Sequence, residues 1–328
     1  MAVEADKKKA PRGRWLADFM RPIVAALDLP VFVLQALRAG AALAMASALC
    51  GCAWLDERQH VLALRPSPAS AGQIEANAAA FRPGDLRYFL PASDAPAERV
   101  AVWWLPHADP QAPALLYLHG SFRNLYHNLP KIEALRQAGF AVLAVDYRGW
   151  GESTARVPSE ATIGADAALA WAELLRLQPD APRRYLFGHS MGSAVAVKLA
   201  SDLRGGQDYA ALVLESSFTR LPDVAAAAGF WGRIAASATT LEFDSLSRIG
   251  RIDAPLLMLH GSADRTVPVE LGRRLRDAAP AGVRWVEIAG GSHSRLHSDA
   301  PEVYQEALRS IVQARKSRPA TPTRATAP

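Results

Sequence analysis

Cysteine is nearly absent. The 328 residues contain two, Cys50 and Cys52, and both lie ahead of the first strand-like run. From Ala53 onward there is no thiol, which excludes a disulfide, a thiolate nucleophile and a cysteine zinc site there. Long apolar runs are also lacking. A membrane span needs about 20 residues, but Asp28 and Pro30 interrupt the stretch from Ile23 to Leu37, and Arg38 separates it from the uncharged run that begins at Ala39. No internal repeat is present. A one-signed charge field is missing from the interior. Residues 1–38 hold seven Lys or Arg against four acids, and residues 315–328 hold Arg315, Lys316, Arg318 and Arg324 with no acid. The net charge of +5 therefore leaves −2 for everything between, and a nucleic-acid partner has no support.

What is present is alternation. At 50% hydrophobic residues the chain can bury a substantial core. Strand-like runs at Val100–Leu105, Ala114–Leu118, Ala141–Val145, Tyr185–Phe187, Ala211–Leu214, Leu256–Leu259 and Val283–Ile288 are separated by helical patterns. In one of these, Ile163, Ala167, Ala170, Leu174 and Leu177 share a helical face. This predicts an α/β fold, a mostly parallel sheet with helices on both faces.

Three positions carry chemistry. Ser190 sits in Gly188-His189-Ser190-Met191-Gly192, between the apolar run Tyr185-Leu186-Phe187 and the helix-like Ser193 to Ala200. Strand, glycine, serine, glycine and helix together make a nucleophile elbow, a tight turn that lifts the hydroxyl clear of the sheet. Serine is a poor nucleophile at neutral pH, so a carboxylate and a histidine are required further on, in that order. Asp264, in His260-Gly261-Ser262-Ala263-Asp264, and His293, in Gly290-Gly291-Ser292-His293, each follow a strand-like run, the side on which open α/β sheets build their sites. His293 is expected to act as general base and Asp264 to fix its tautomer. An oxyanion hole needs backbone N–H donors, expected from Met191 and from Ser121 after the run Ala114–Leu118, with Phe122 next in line. His297 competes with His293, and Asp244 and Asp253 compete with Asp264. His119 and His260 read as structural, His189 as part of the pocket floor, and Asp146 with Arg148 as a loop-bracing salt bridge.

These stretches, together with Val145-Asp146-Tyr147-Arg148-Gly149-Trp150-Gly151-Glu152-Ser153 and Glu215-Ser216-Ser217-Phe218, resemble the α/β-hydrolase superfamily. Within it the chain is similar to small-lid serine hydrolases, the Bem46-like and depalmitoylase-like proteins. The resemblance spans residues 85 to 313. It implies an esterase, thioesterase or related acyl hydrolase that uses no cofactor or metal, acts on a small-molecule or lipid-like acyl substrate, and has Ser190, Asp264 and His293 as its triad. Peptidase and acyltransferase activity, or a catalytically silent binding or scaffold lipoprotein, are the alternatives.

The expected organisation follows. Residues 1–52 read as a signal and lipobox segment: Leu49-Cys50-Gly51-Cys52 resembles a bacterial lipobox with Cys52 as the lipidated residue, behind an apolar run of signal-peptide length. This predicts a membrane-tethered protein of the bacterial cell envelope facing the periplasm, with a signal anchor or a cytoplasmic location as alternatives. Residues 53–84, which include a Pro-, Ala- and Ser-rich stretch, read as a tether, 85–314 as the hydrolase domain and 315–328 as a disordered basic tail. The lid is expected at about 216–254. There Phe218, Leu221, Phe230, Trp231, Ile234, Leu241 and Phe243 either line an acyl pocket or pack on the core.

Overall fold

The computed structural model describes residue 54 and residues 56–316. The lipobox and the basic tail beyond Lys316 lie outside the described residues.

Eight strands form one sheet: β1 (Leu86–Pro91), β2 (Arg99–Leu105), β3 (Ala114–Leu118), β4 (Ala141–Asp146), β5 (Arg184–His189), β6 (Ala211–Glu215), β7 (Leu256–Gly261) and β8 (Arg284–Ile288). Their order is β1-β2-β4-β3-β5-β6-β7-β8. Pairing is antiparallel from β1 through β2 to β4 and parallel from β4 to β8. The seven expected strands are all present, with ends shifted by a residue or two. β1 carried no sequence signal, because Leu86, Tyr88, Phe89 and Leu90 put apolar side chains on both of its faces and hide the two-residue period.

The inner strands are apolar on both faces because both are covered. Leu116, Leu118, Leu186, Leu212, Leu214 and Met258 pack into one core. Leu115, Tyr117, Tyr185, Phe187, Val213 and Leu257 point into the other. Each fully buried side chain of this size contributes about 1.5–3 kcal/mol. Helix α1 (Leu125–Gln137) packs on the second face. Helices α2 (Glu160–Leu177) and α3 (Met191–Ser201) cover the first. Ser159 and Thr162 form a capping box at the start of α2, which buries Ile163, Ala167, Ala170 and Leu174 as its periodicity predicts.

Two expectations need correction. The segment expected to be a tether is, from residue 56 on, packed against the domain. Leu64 is buried, Gly151 donates to the Ser67 carbonyl at 3.0 Å and accepts from Ala69 at 2.8 Å, and Asn124 donates to Ser67 at 3.1 Å. Its composition is that of a linker, but Leu64, Ile74 and Phe81 anchor it. Asp146 and Arg148 do not pair with each other. Arg148 is enclosed by Asp166, Glu98 and Asp94, which hold its guanidinium charged despite the burial. Asp146 accepts the Leu125 N–H at 3.0 Å and presses on Gly151, where a side chain would lie 1.7 Å from its Oδ2.

The expected lid contains α4 (Leu221–Ala227) and α5 (Phe230–Ala238). Its apolar residues divide: Phe218, Leu241 and Phe243 are buried in the core, whereas Phe230, Trp231 and Ile234 are exposed. Helix α6 (Val269–Asp277) follows β7, and helix α7 (Pro301–Lys316) closes the described chain.

Candidate active site

Ser190 joins β5 to α3 with φ 53° and ψ −124°, a left-handed conformation that L side chains rarely adopt. Its surroundings enforce that turn. The Ser190 N–H donates to the Glu215 carbonyl at 2.9 Å, tying the elbow to the end of β6. Gly188 lies so close to the start of α3 that a Cβ would sit 2.3 Å from the Gly192 carbonyl oxygen. A Cβ on Gly192 would sit 2.1 Å from the carbonyl oxygen of Leu118. Both glycines are therefore required by close backbone approach, which explains the pentapeptide physically.

The three expected residues converge. The Ser190 hydroxyl donates to His293 Nε2 at 3.0 Å, and His293 Nδ1–H donates to Asp264 Oδ2 at 2.7 Å, although 103 and 29 residues of chain separate the partners. Asp264 is buried, and its Oδ1 accepts the backbone N–H groups of Thr266 (2.9 Å) and Val267 (2.8 Å). Burial alone would raise its pKa. Hydrogen bonds from His260 and His293 outweigh it and hold the carboxyl well below the usual range. An ionised Asp264 fixes the proton on Nδ1 and leaves the Nε2 lone pair facing Ser190. His260 donates from Nε2 to the Val267 carbonyl at 2.9 Å, bracing the same loop.

The competitors lie elsewhere. His297 is partly buried and meets Tyr304 edge-on, with centroids 6.1 Å apart. Asp244 accepts from Ser247 N–H at 3.0 Å and Asp253 from Gly205 N–H at 2.6 Å.

The loop after β3 lies directly against the serine: a Cβ on Gly120 would be 3.0 Å from Ser190 Cβ. Two of its peptide planes are pinned. Buried His119 donates from Nδ1 to the Gly120 carbonyl at 2.6 Å, and Trp150 Nε1–H donates to the Ser121 carbonyl at 2.9 Å. In a trans peptide the N–H points opposite the carbonyl, so the amides of Ser121 and Phe122 are both fixed in direction. Met191 opens α3, and the first N–H groups of a helix have no partner within it.

Sequence reasoning missed a charged cluster beneath this site. Lys131 on α1 is fully buried and ion-paired with buried Glu215, whose other oxygen accepts from Tyr304 at 2.8 Å. Burial pushes the Lys131 ammonium below its ordinary pKa, with Glu215 working against it. His189 has its pKa pushed far down by burial and by Lys131, so it is neutral, and it donates from Nε2 to the His293 carbonyl at 3.1 Å. A lone lysine in a helix gives no hint of such a partner, and Glu215 stands out only as part of Glu215-Ser216-Ser217-Phe218.

Among the described residues no cluster of three or more His, Cys, Asp or Glu is placed to hold a metal ion, and no helix is long and apolar enough to cross a membrane.

The comparisons agree with this architecture. A family model described as serine aminopeptidase, S33, matches residues 110–248. An uncharacterised protein of Mycobacterium tuberculosis is 37% identical over 200 residues, 60% of this chain and 68% of that protein. A lysophosphatidylserine lipase of Danio rerio is 33% identical over 194 residues, 55% of this chain and 50% of the lipase, so the chain spans about half of that relative's length. Among solved structures, an α/β hydrolase of Vibrio vulnificus superposes with a TM-score of 0.63 at 20% identity, covering 77% of this chain and 92% of the other. A Pyrococcus furiosus esterase gives 0.62 at 19% identity, covering 76% and 96%. The chain belongs to the α/β-hydrolase superfamily.

Proposed function

We propose that the protein is a serine hydrolase that cleaves acyl esters or thioesters through an acyl-enzyme intermediate. The observation that carries this reading is the Ser190–His293–Asp264 chain of hydrogen bonds at 3.0 and 2.7 Å. His293 takes the hydroxyl proton as Ser190 Oγ attacks the acyl carbon, then returns it to the leaving alcohol or thiol as the C–O or C–S bond breaks. The amides of Met191 and of Ser121 or Phe122 stabilise the oxyanion. Water then attacks the acyl-enzyme, with His293 again acting as base. The lipase and esterase relatives support ester chemistry.

The family description favours a second reading, an aminopeptidase. Cleavage there would need anionic groups to receive the substrate's terminal ammonium, whereas the loop beside Ser190 carries a cation, Arg123. The discriminating experiment is labelling of Ser190 by a fluorophosphonate probe, followed by turnover of p-nitrophenyl esters of increasing chain length against aminoacyl p-nitroanilides. Ester turnover with no anilide turnover is expected, and the reverse would establish the peptidase.

The lipobox-like Leu49-Cys50-Gly51-Cys52 adds a location to this proposal: attachment to the cell envelope through lipidated Cys52. Intact mass after expression in a Gram-negative host should show a mature N-terminus at Cys52. Retention of residues 1–51, unchanged by Cys52→Ser, would discard it.

A further inference from the structure

We infer that Arg65 and Arg123 form a recognition site for an anionic group, a phosphate or carboxylate, carried by the substrate beside its scissile ester. The inference rests on the ester-hydrolase reading and adds a substrate class to it.

Two arginines 58 positions apart converge on one exposed aromatic ring. The guanidinium of Arg123 lies 4.9 Å from the centroid of Phe122, and that of Arg65 lies 5.7 Å from it. Phe122 directly follows Ser121 in the loop that packs on Ser190, so the ring stands two residues and Arg123 three, roughly 7–10 Å of chain, from Gly120, and Arg65 reaches the same place through the ring. Both arginines hold positive φ, 50° for Arg65 and 76° for Arg123, a region that disfavours any side chain. The backbone is thus bent against its preference at both places where a cation reaches Phe122.

Among the described residues neither charge is neutralised: no carboxylate pairs with Arg65 or Arg123. Near the site Arg220 meets Asp223 at 3.3 Å and Arg295 meets Asp299 at 3.8 Å; Arg265, next to Asp264, also pairs with no carboxylate among the described residues but has no second arginine gathered with it on a ring. A guanidinium held over a ring by cation–π attraction spends none of its hydrogen-bond donors there, and those donors bind phosphate or carboxylate in bidentate fashion. Phe122 thereby gathers two cations without consuming their donors. An amphiphilic ester with an acidic headgroup would place its acyl carbon at Ser190 and its anion against these edges.

The test compares monohexanoylglycerol with its phosphate monoester, both kept monomeric. The full-length protein should prefer the phosphate ester by about tenfold in kcat/KM at low salt, the size expected of one charge-assisted contact. The preference should shrink in 0.5 M salt and collapse in the Arg65→Gln/Arg123→Gln variant. A selectivity that survives the double substitution, or a wild type with none, overturns the inference. So does a preference seen only with anionic vesicles, which would assign the arginines to a lipid surface instead. Calorimetric titration with hexyl phosphate is independent of turnover: binding weakened about tenfold by the double substitution supports the site, and no binding to the wild type overturns it. Absence of fluorophosphonate labelling would instead remove the hydrolase reading while leaving this titration decisive.

Discussion

The Ser216 hydroxyl donates to the main-chain carbonyl of His293 at 2.9 Å, across 77 residues of sequence. His189 Nε2 reaches the same oxygen at 3.1 Å. Two donors from the ends of adjacent strands thus grip the backbone of His293, the proposed base. Ser216 is buried and held at φ 50°, so this grip is built on a strained residue. Ser216→Gly relieves the strain and loses the donor, whereas Ser216→Ala loses the donor alone. Both should lower kcat by up to about tenfold with little change in KM, the worth of one hydrogen bond. Steady-state kinetics on a p-nitrophenyl ester checks this, and unchanged kcat in both would show that the contact does not position His293.

Ser190→Ala should abolish fluorophosphonate labelling and reduce ester turnover by on the order of a millionfold. Circular dichroism should show the fold retained, since the hydroxyl is not part of the core. Labelling that persists would place the nucleophile elsewhere.

His293→Ala should be nearly as damaging, because Ser190 then has no base. His297→Ala should keep most activity, since that ring faces Tyr304 and not the serine. Reversed severities in a side-by-side assay would transfer the role of base to His297.

Asp264→Asn should cost about 10,000-fold in kcat through the wrong imidazole tautomer. A stability signature accompanies it. The folded-state pKa of Asp264 is depressed, so its contribution is complete above the unfolded value of about 4 and is lost as pH falls toward the folded one. The Tm gap between wild type and Asp264→Asn should therefore be constant from pH 5 to 7 and narrow below pH 4. A gap that widens on acidification would contradict the ionised, hydrogen-bonded carboxylate.

Lys131→Met leaves Glu215 buried without its counter-charge and should destabilise the protein by about 3–5 kcal/mol in urea denaturation. Adding Glu215→Gln should recover part of that loss. A double variant less stable than the sum of the singles would mean the two charges do not act as a pair.

Much of this architecture is written locally. Parallel strands buried on both faces need unbroken apolar runs, so β3, β4, β6 and β7 are legible from composition alone. The pentapeptide around Ser190 is legible because its glycines answer backbone contacts that any such elbow must make. Asp264 and His293 could be nominated because each follows a strand on the side where sites form. Local sequence says nothing about which polar groups meet across the fold. The pairing of Lys131 with Glu215, the partners of Arg148 and the approach of Arg65 to Phe122 all join residues far apart in sequence. β1 and the packed segment from residue 56 escaped for a related reason: their order comes from neighbours and not from any periodicity of their own. Periodicity records only whether a face is buried, and the identity of a buried polar partner is set by strand order and register, which exist only once the sheet has assembled.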